Sequence, residues 1–486
     1  MNKERFKTLV LVSLVFVSFY LTQQVWAKLP YNLIPMSSNE PIEQNDNNDL
    51  LKVVSPEQYL ITFGRSHTIL YSELYCDEKY DLWNNVKTIL KTCFQDKDIK
   101  VDSIENEETI KNESIRAIEA QFTEKVPLYI FLKMLEVDEA NDIFNKINEI
   151  DRIYIPLNGG NFIVLSNGVD YLKVTSRNFD MSNISKEVVK IERNGYTKYY
   201  SLKDYLNVES NAYMALDKSV KAWRSVYYVK NEINVKNEAQ IEQIAKEFFG
   251  KDLDYVRKIE EDNGSVIYVY NNEQVLKIFN DGIISYFNSL EHTVVERNLY
   301  ISLKTAVDFI SSHIGWPDDV YLSSIDQITS DGSKGYRIVF NYRIGGNPVI
   351  LDNGKIEHPI VVEVFNDQIK TYKRFVRKID MSKLIGTNIK PILSPLDIIG
   401  KSDNYNLIKE NYKRQTGIKN EEINKSDLRE KILSSINDIY MAYYDTCRQD
   451  YGQRLKSVWT ININGTTYIF DAYSGECIKV IGGIKN

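Results

Sequence analysis

The chain has 486 residues, 43% hydrophobic and 26% charged, a balance that builds folded cores and excludes a disordered or fibrous protein. Its formal charge is −7, and since Lys3, Arg5 and Lys7 against Glu4 give the first 27 residues a net +2, the remainder carries −9. No block of Lys and Arg interrupts that acidic body to displace counterions from phosphates, so the composition argues against a nucleic-acid partner. With 33 Tyr and 19 Phe beside abundant Ile, Val and Leu, the fold class expected is α+β.

Residues 9 to 21 are uncharged and strongly apolar, and the uncharged stretch runs on to Lys28. At roughly 1.5 Å per residue it approaches the thickness of a bilayer core, with Tyr20 and Trp26 where interfacial aromatics belong. The positive charges precede it, which predicts a single-pass cell-membrane protein with a cytoplasmic amino terminus and an exported body. The alternative is a cleaved signal peptide ending at Val25-Trp26-Ala27, which exports the body equally. As an anchor, the segment offers Ser13, Phe16, Ser18, Tyr20, Thr22, Gln23, Gln24 and Trp26 as candidate contacts. The serines allow close approach of another helix, and Thr22, Gln23 and Gln24 can hydrogen-bond across helices or simply mark the outer interface.

After the cytoplasmic stub and anchor at 1–27, the Pro, Ser, Asn and Asp of 28–49 predict a flexible linker. An α+β domain over 50–208 opens with a hairpin, Tyr59 to Phe63 and His67 to Tyr71, around Gly64-Arg65. Leu82, Val86, Ile89, Leu90 and Cys93 recur at helical spacing, and 138–147 and 185–191 are weaker helix candidates. Strands are expected at 128–132, 152–157, 162–165 and 171–174.

Two further units, 209–295 and 296–486, each read as helix followed by antiparallel meander. Asn237 with Gln240 suggests a capping box ahead of Ile241, Ile244, Ala245 and Phe248, and three strands follow at 265–270, 274–280 and 283–288. A second helix carries Leu303, Ala306, Val307, Ile310 and Ile314 before strands near 320–328, 335–342 and 359–365. A third, from about Ser426, places Leu428, Ile432, Ile439 and Tyr443 inward. The closing hairpin, 457–463 with 467–472, turns at Asn464-Gly465, a type I′ signal.

Catalytic and ligand motifs are missing from the sequence. His67, His292, His313 and His358 stand apart from one another and outside any zinc-ligand spacing. Gly159-Gly160 and Gly345-Gly346 lie between strand-like runs, where turns are expected in place of phosphate loops. Acidic runs such as Asp318-Asp319 and Glu260-Glu261-Asp262 read as solvated loop charges, and 45–49 lacks the glycine and distal glutamate of a calcium loop. No metal or cofactor is therefore expected. Cys76, Cys93, Cys447 and Cys477 allow three disulfide pairings; Cys76 with Cys93 and Cys447 with Cys477 are candidates, against a small buried thiol at Cys93.

The opening residues 2–8 and 21–26, then Ser55-Pro56-Glu57-Gln58-Tyr59, Phe63 to Thr68 and Leu70-Tyr71-Ser72, resemble the YycH family in its anchor and the start of its extracytoplasmic part. The closing run Trp459 to Glu476 is similar to the last hairpin of YycH, of YycI and of PepSY-type domains. The resemblance implies a non-catalytic auxiliary protein of the WalK/WalR (YycG/YycF) two-component system, which governs cell-wall metabolism in low-GC Gram-positive bacteria. It implies as partners a WalK-like sensor histidine kinase and a YycI-like protein, in a homo- or hetero-oligomer at the membrane. A PepSY-like binder or inhibitor of a cell-envelope peptidase is the second reading, and a wall hydrolase built from scattered carboxylates the third.

Overall fold

Two large sheets organise the computed structural model, which describes residues 46–482 except 65, 76–77, 106–115, 138–140, 218–224, 384–385, 388–389 and 419–423. The first sheet is antiparallel and nine-stranded, in the order 213–215, 199–201, 66–70, 58–63, 116–127, 149–156, 162–166, 171–175 and 100–104. Its opening hairpin forms as expected, with Phe63 paired to Ser66 across the turn. Ile61 and Ile118, opposite each other in register, are both fully buried. Helices Leu82–Gln95 and Ser182–Asn194 turn Leu82, Val86, Ile89 and Leu90, and Ile184, Val188 and Ile191, into the same core. Each set recurs at the three- and four-residue spacing that lines up one helix face.

The second sheet joins the remaining meanders. From 257–260 it passes through 266–270, 274–278, 284–288, 368–374, 360–365, 333–344, 347–351, 436–445, 456–463, 466–471 and 477–481, with 320–330 paired beside 333–344. Every junction is antiparallel except 347–351 with 436–445, which is parallel. The fold is thus α+β. Asn464 and Gly465, at φ 49° and 76°, make the expected type I′ turn between Ile463 and Thr466. Gly345 and Gly346, both at positive φ, make the tight turn from 333–344 into 347–351.

The opposite face of the first sheet is not left to solvent. Leu60, Ile69, Tyr199 and Met214 share one core with Ile398, Ile408, Ile439, Met441, Trp459 and Phe470 from the last part of the chain. That seam locks residues about four hundred positions apart into one apolar contact. A polar lock lies elsewhere in the second sheet: Arg374 is 1% exposed and bonds Glu232 through Nε at 2.6 Å and Nη2 at 2.9 Å. Burial alone would raise the Glu232 carboxyl, but Arg374 and Lys378 outweigh it and hold it below its usual range.

Several local expectations are corrected. Residues 128–132 are helical, within Leu128–Met134, because Pro127 opens the helix and an apolar run buried all round has no strand alternation. Ile439 and Tyr443 lie on strand Ile436–Asp445, the helix having ended at Ser434. Asn237 caps its helix by accepting from the Gln240 N–H, yet the Gln240 side chain bonds Asn234 and Glu232 and the box stays open. Ile314 falls past the end of helix Leu299–Ser312, at φ 72°. Residues 46–49, read as the end of the linker, belong to helix Asp46–Val53, held by buried Leu50 and Val53. Cys93, Cys447 and Cys477 are free thiols, so neither candidate disulfide forms.

Candidate functional site

The longest strand of the first sheet, Arg116–Pro127, breaks register in its second half. Between the pairs Gln121–Arg152 and Val126–Ile150, the four residues 122–125 stand opposite Asp151 alone. A bulge of this kind bends its strand and re-aims side chains. Phe122 pins it to the core, edge-on to Trp83 at 5.7 Å and to Phe131 at 5.6 Å. Thr123, Glu124 and Lys125 are thereby presented along one wall of a cleft of about 590 Å³.

The facing wall belongs to the second sheet. Strand Val320–Ser330 pairs only with 333–344 among the described residues, and Ile325, Gln327 and the cross-strand neighbour Tyr336 line the cleft. Tyr129 and Leu299, each at the start of a helix, close it. Burial, then the neighbouring Tyr336, pushes the Tyr129 hydroxyl up to about 12. Both tyrosines therefore stay neutral and offer ring faces and hydroxyls.

The charges in and around the cleft are unevenly matched. Lys125 Nζ is 3.6 Å from Glu149, Arg152 Nε is 3.2 Å from Asp151, and Arg337 Nη1 is 3.4 Å from Asp326. Arg297, near Tyr336, donates to the carbonyls of Gly335 at 3.0 Å and Ile328 at 2.8 Å. Half-buried Glu124 makes no ion pair among the described residues. Burial first, and then the charge of Asp326, raises its carboxyl above the ordinary range.

Thr123 also bonds Glu57, which connects the cleft to a buried acid cluster. Burial raises the Glu57 carboxyl, partly offset by Arg343 and Thr123. Arg343 is fixed by Nη1 to Asp319 at 3.1 Å and Nη2 to the Glu57 carbonyl at 2.7 Å, with its guanidinium 3.9 Å from the Tyr321 ring centroid. From the last third of the chain, Asp438 meets this group. Burial and the charge of Glu57 push its carboxyl up to about 7.

The sequence-derived candidates Ser13, Phe16, Ser18, Tyr20, Thr22, Gln23, Gln24 and Trp26 lie outside the described residues, as does the whole predicted anchor. Among the described residues no helix is long and apolar enough to cross a membrane. His313 closes helix Leu299–Ser312 with Nδ1 2.6 Å from the Phe309 carbonyl, a structural bond. Glu260 and Glu261 pair with Lys258 at 2.7 Å and Lys277 at 2.9 Å, and Asp319 holds Arg343. Among the described residues no cluster of His, Cys, Asp or Glu is arranged to hold a metal. The cleft was missed by sequence reasoning because strand 116–127 was not recognised. Its alternating Ile118, Ala120 and Phe122 ahead of Pro127 were the available signal. The cleft can accept a donor carrying positive charge.

Residues 4–193 match the family model described as YycH protein, N-terminal domain. Among solved structures, YycH from Bacillus subtilis is similar in fold with a TM-score of 0.51 at 16% identity, covering 86% of this chain and 96% of that one. An uncharacterized protein from Eubacterium rectale ATCC 33656 gives 0.35 at 13% identity, over 60% and 95% of the two chains. The C-terminal domain of YpeB from Bacillus megaterium gives 0.25 at 11%, over 51% and 98%. No curated protein sequence matches the chain.

Proposed function

Because the chain belongs to the YycH family, on the match of residues 4–193, we propose that it is a non-catalytic regulator anchored in the cell membrane with its body outside. It binds a WalK-like sensor histidine kinase through its transmembrane helix and exterior domains and modulates two-component signalling that controls cell-wall metabolism. A YycI-like protein is its second partner. The observation that carries this reading is the family match, which takes in the apolar amino-terminal segment and most of the first sheet.

Regulation in this sense is differential binding: the protein shifts the kinase only as far as it binds one kinase state better than the other. An anchor that packs beside the kinase helices and an exterior body that touches its sensor domain supply two places for that difference. The test is crosslinking of the full-length protein in its native membrane, followed by identification of the captured proteins. A sensor kinase should be recovered, and recovery should fall when residues 9 to 26 are replaced by an unrelated membrane helix. Capture of an envelope peptidase with no kinase would overturn the reading.

A further inference from the structure

The cleft between the 122–125 bulge and strand Val320–Ser330 has a feature that the fold itself does not use. The carboxylates of Glu149, Asp151 and Asp326 each have a cation within 4 Å, while Glu124, held half-buried on the bulge, has none among the described residues. A carboxylate partly removed from water without a counter-charge is a standing cost, recovered when a cation arrives. Tyr336 stands on the facing wall and Tyr129 closes the cleft, both shielded from solvent enough to remain neutral. A carboxylate facing aromatic rings suits a planar cation, because a guanidinium can fork onto the oxygens and lie against a ring at the same time. An ammonium, compact and strongly hydrated, would gain less from the rings and pay more to lose its water.

We propose that this cleft receives an arginine side chain presented by a partner polypeptide, with Glu124 as its counter-ion and Tyr129 and Tyr336 as its ring wall. The inference rests on the regulator reading only in supposing that the exterior body meets another protein. Charge complementarity names the occupant: the cleft is open at about 590 Å³, acidic, and unfilled by any described segment of the chain. Gln327 on the opposite wall can bond the backbone that carries the arginine.

The test uses full-length protein in lipid nanodiscs and the peptide acetyl-Leu-Arg-Leu amide, with its citrulline counterpart as the uncharged isostere, followed by saturation-transfer NMR. The arginine peptide should bind. Its affinity should fall about tenfold or more with Glu124→Gln and equally with citrulline, and should be unchanged by Glu260→Gln on the distant meander. Unchanged thermal unfolding of Glu124→Gln would exclude misfolding as the cause. A peptide that does not bind, or binds Glu124→Gln as well as the parent, overturns the inference. Kinase capture separates the two readings: capture without peptide binding removes only the cleft assignment, and peptide binding without capture removes only the kinase.

Discussion

Two of the places where the first sheet meets the rest of the chain are opposite in character. On one side Leu60, Ile69, Tyr199 and Met214 close against Trp459, Met441 and Phe470 in a seam of buried apolar side chains. On the other, the bulge at 122–125 faces strand Val320–Ser330 across an open cleft in which Glu124 has no ion-pair partner among the described residues. Apolar burial is non-directional and stabilises whatever shape excludes water, so the seam adds its folding energy to that of the larger core the two sheets share. A half-buried unpaired carboxylate opposes folding slightly, which sets it apart from the seam and suits it to a contact made outside the chain. The two junctions divide the labour between holding the body together and presenting it.

The contrast predicts a steep gradient of mutational effects. Trp459 is fully buried in the seam and donates from Nε1 to the Leu393 carbonyl at 2.9 Å. Trp459→Ala should cost about 3 to 5 kcal/mol, read as a fall in urea midpoint without loss of slope. A cost below about 1 kcal/mol would mean that the seam is loosely packed and that the two sheets are held together elsewhere. Arg374→Leu should cost nearly as much, about 3 kcal/mol, because it leaves Glu232 in the interior with only the largely exposed Lys378 at 3.1 Å as its counter-ion. The double variant Arg374→Leu with Glu232→Leu should recover most of that loss, and failure to recover would show that the guanidinium contacts to Gly315 and Tyr372 matter more than the ion pair.

Legibility in the sequence followed the same division. Strands and helices whose pattern is local were readable: the opening hairpin, helix Leu82–Gln95 and the Asn464-Gly465 hairpin follow from alternation, helical spacing and turn chemistry. Residues 128–132 were misread because a short apolar run carries no period that distinguishes a buried strand from a buried helix. Ile439 and Tyr443 were placed on a helix because their four-residue spacing fits one, although in strand Ile436–Asp445 a register shift between Ile436 and Asp438 sets which side chains face inward. Neither junction could be read at all. Both bring together residues from distant parts of the chain, and the cleft depends on a bulge that shows in the pairing and not in the composition.

Between seam and cleft sits Asp438, and its titration gives an intermediate effect. Its folded carboxyl titrates near 7, raised from 3.8 by burial and by Glu57, so the folded state binds a proton more readily than the unfolded chain. Its contribution to stability is therefore fully present below about pH 4 and is lost as the pH climbs to about 7, on the order of 2 kcal/mol once solvent at this half-buried group is allowed for. Glu57, also raised, acts in the same direction. Asp438→Asn should flatten the decline between pH 5 and 7 and leave the variant more stable than the parent at pH 8. A parent protein whose stability does not fall over that window would show that the junction admits enough water to keep both carboxylates ionised.

The smallest effect on folding should come from Glu124, and it decides whether the cleft belongs to the scaffold. Glu124→Gln removes a charge that has no counter-ion among the described residues and keeps the shape, so stability should move by less than about 0.5 kcal/mol, in the stabilising direction if at all. Its carboxyl is raised like that of Asp438, so the parent should lose a little stability on passing from pH 4 to pH 6 that the variant keeps. Urea unfolding of the two proteins at both pH values measures this directly. A loss of 2 kcal/mol or more would place Glu124 in a structural network and make the cleft part of what holds the sheets together. A neutral result leaves the carboxylate with no work in folding, and the bulge that carries it then has to be explained by what it meets outside the chain.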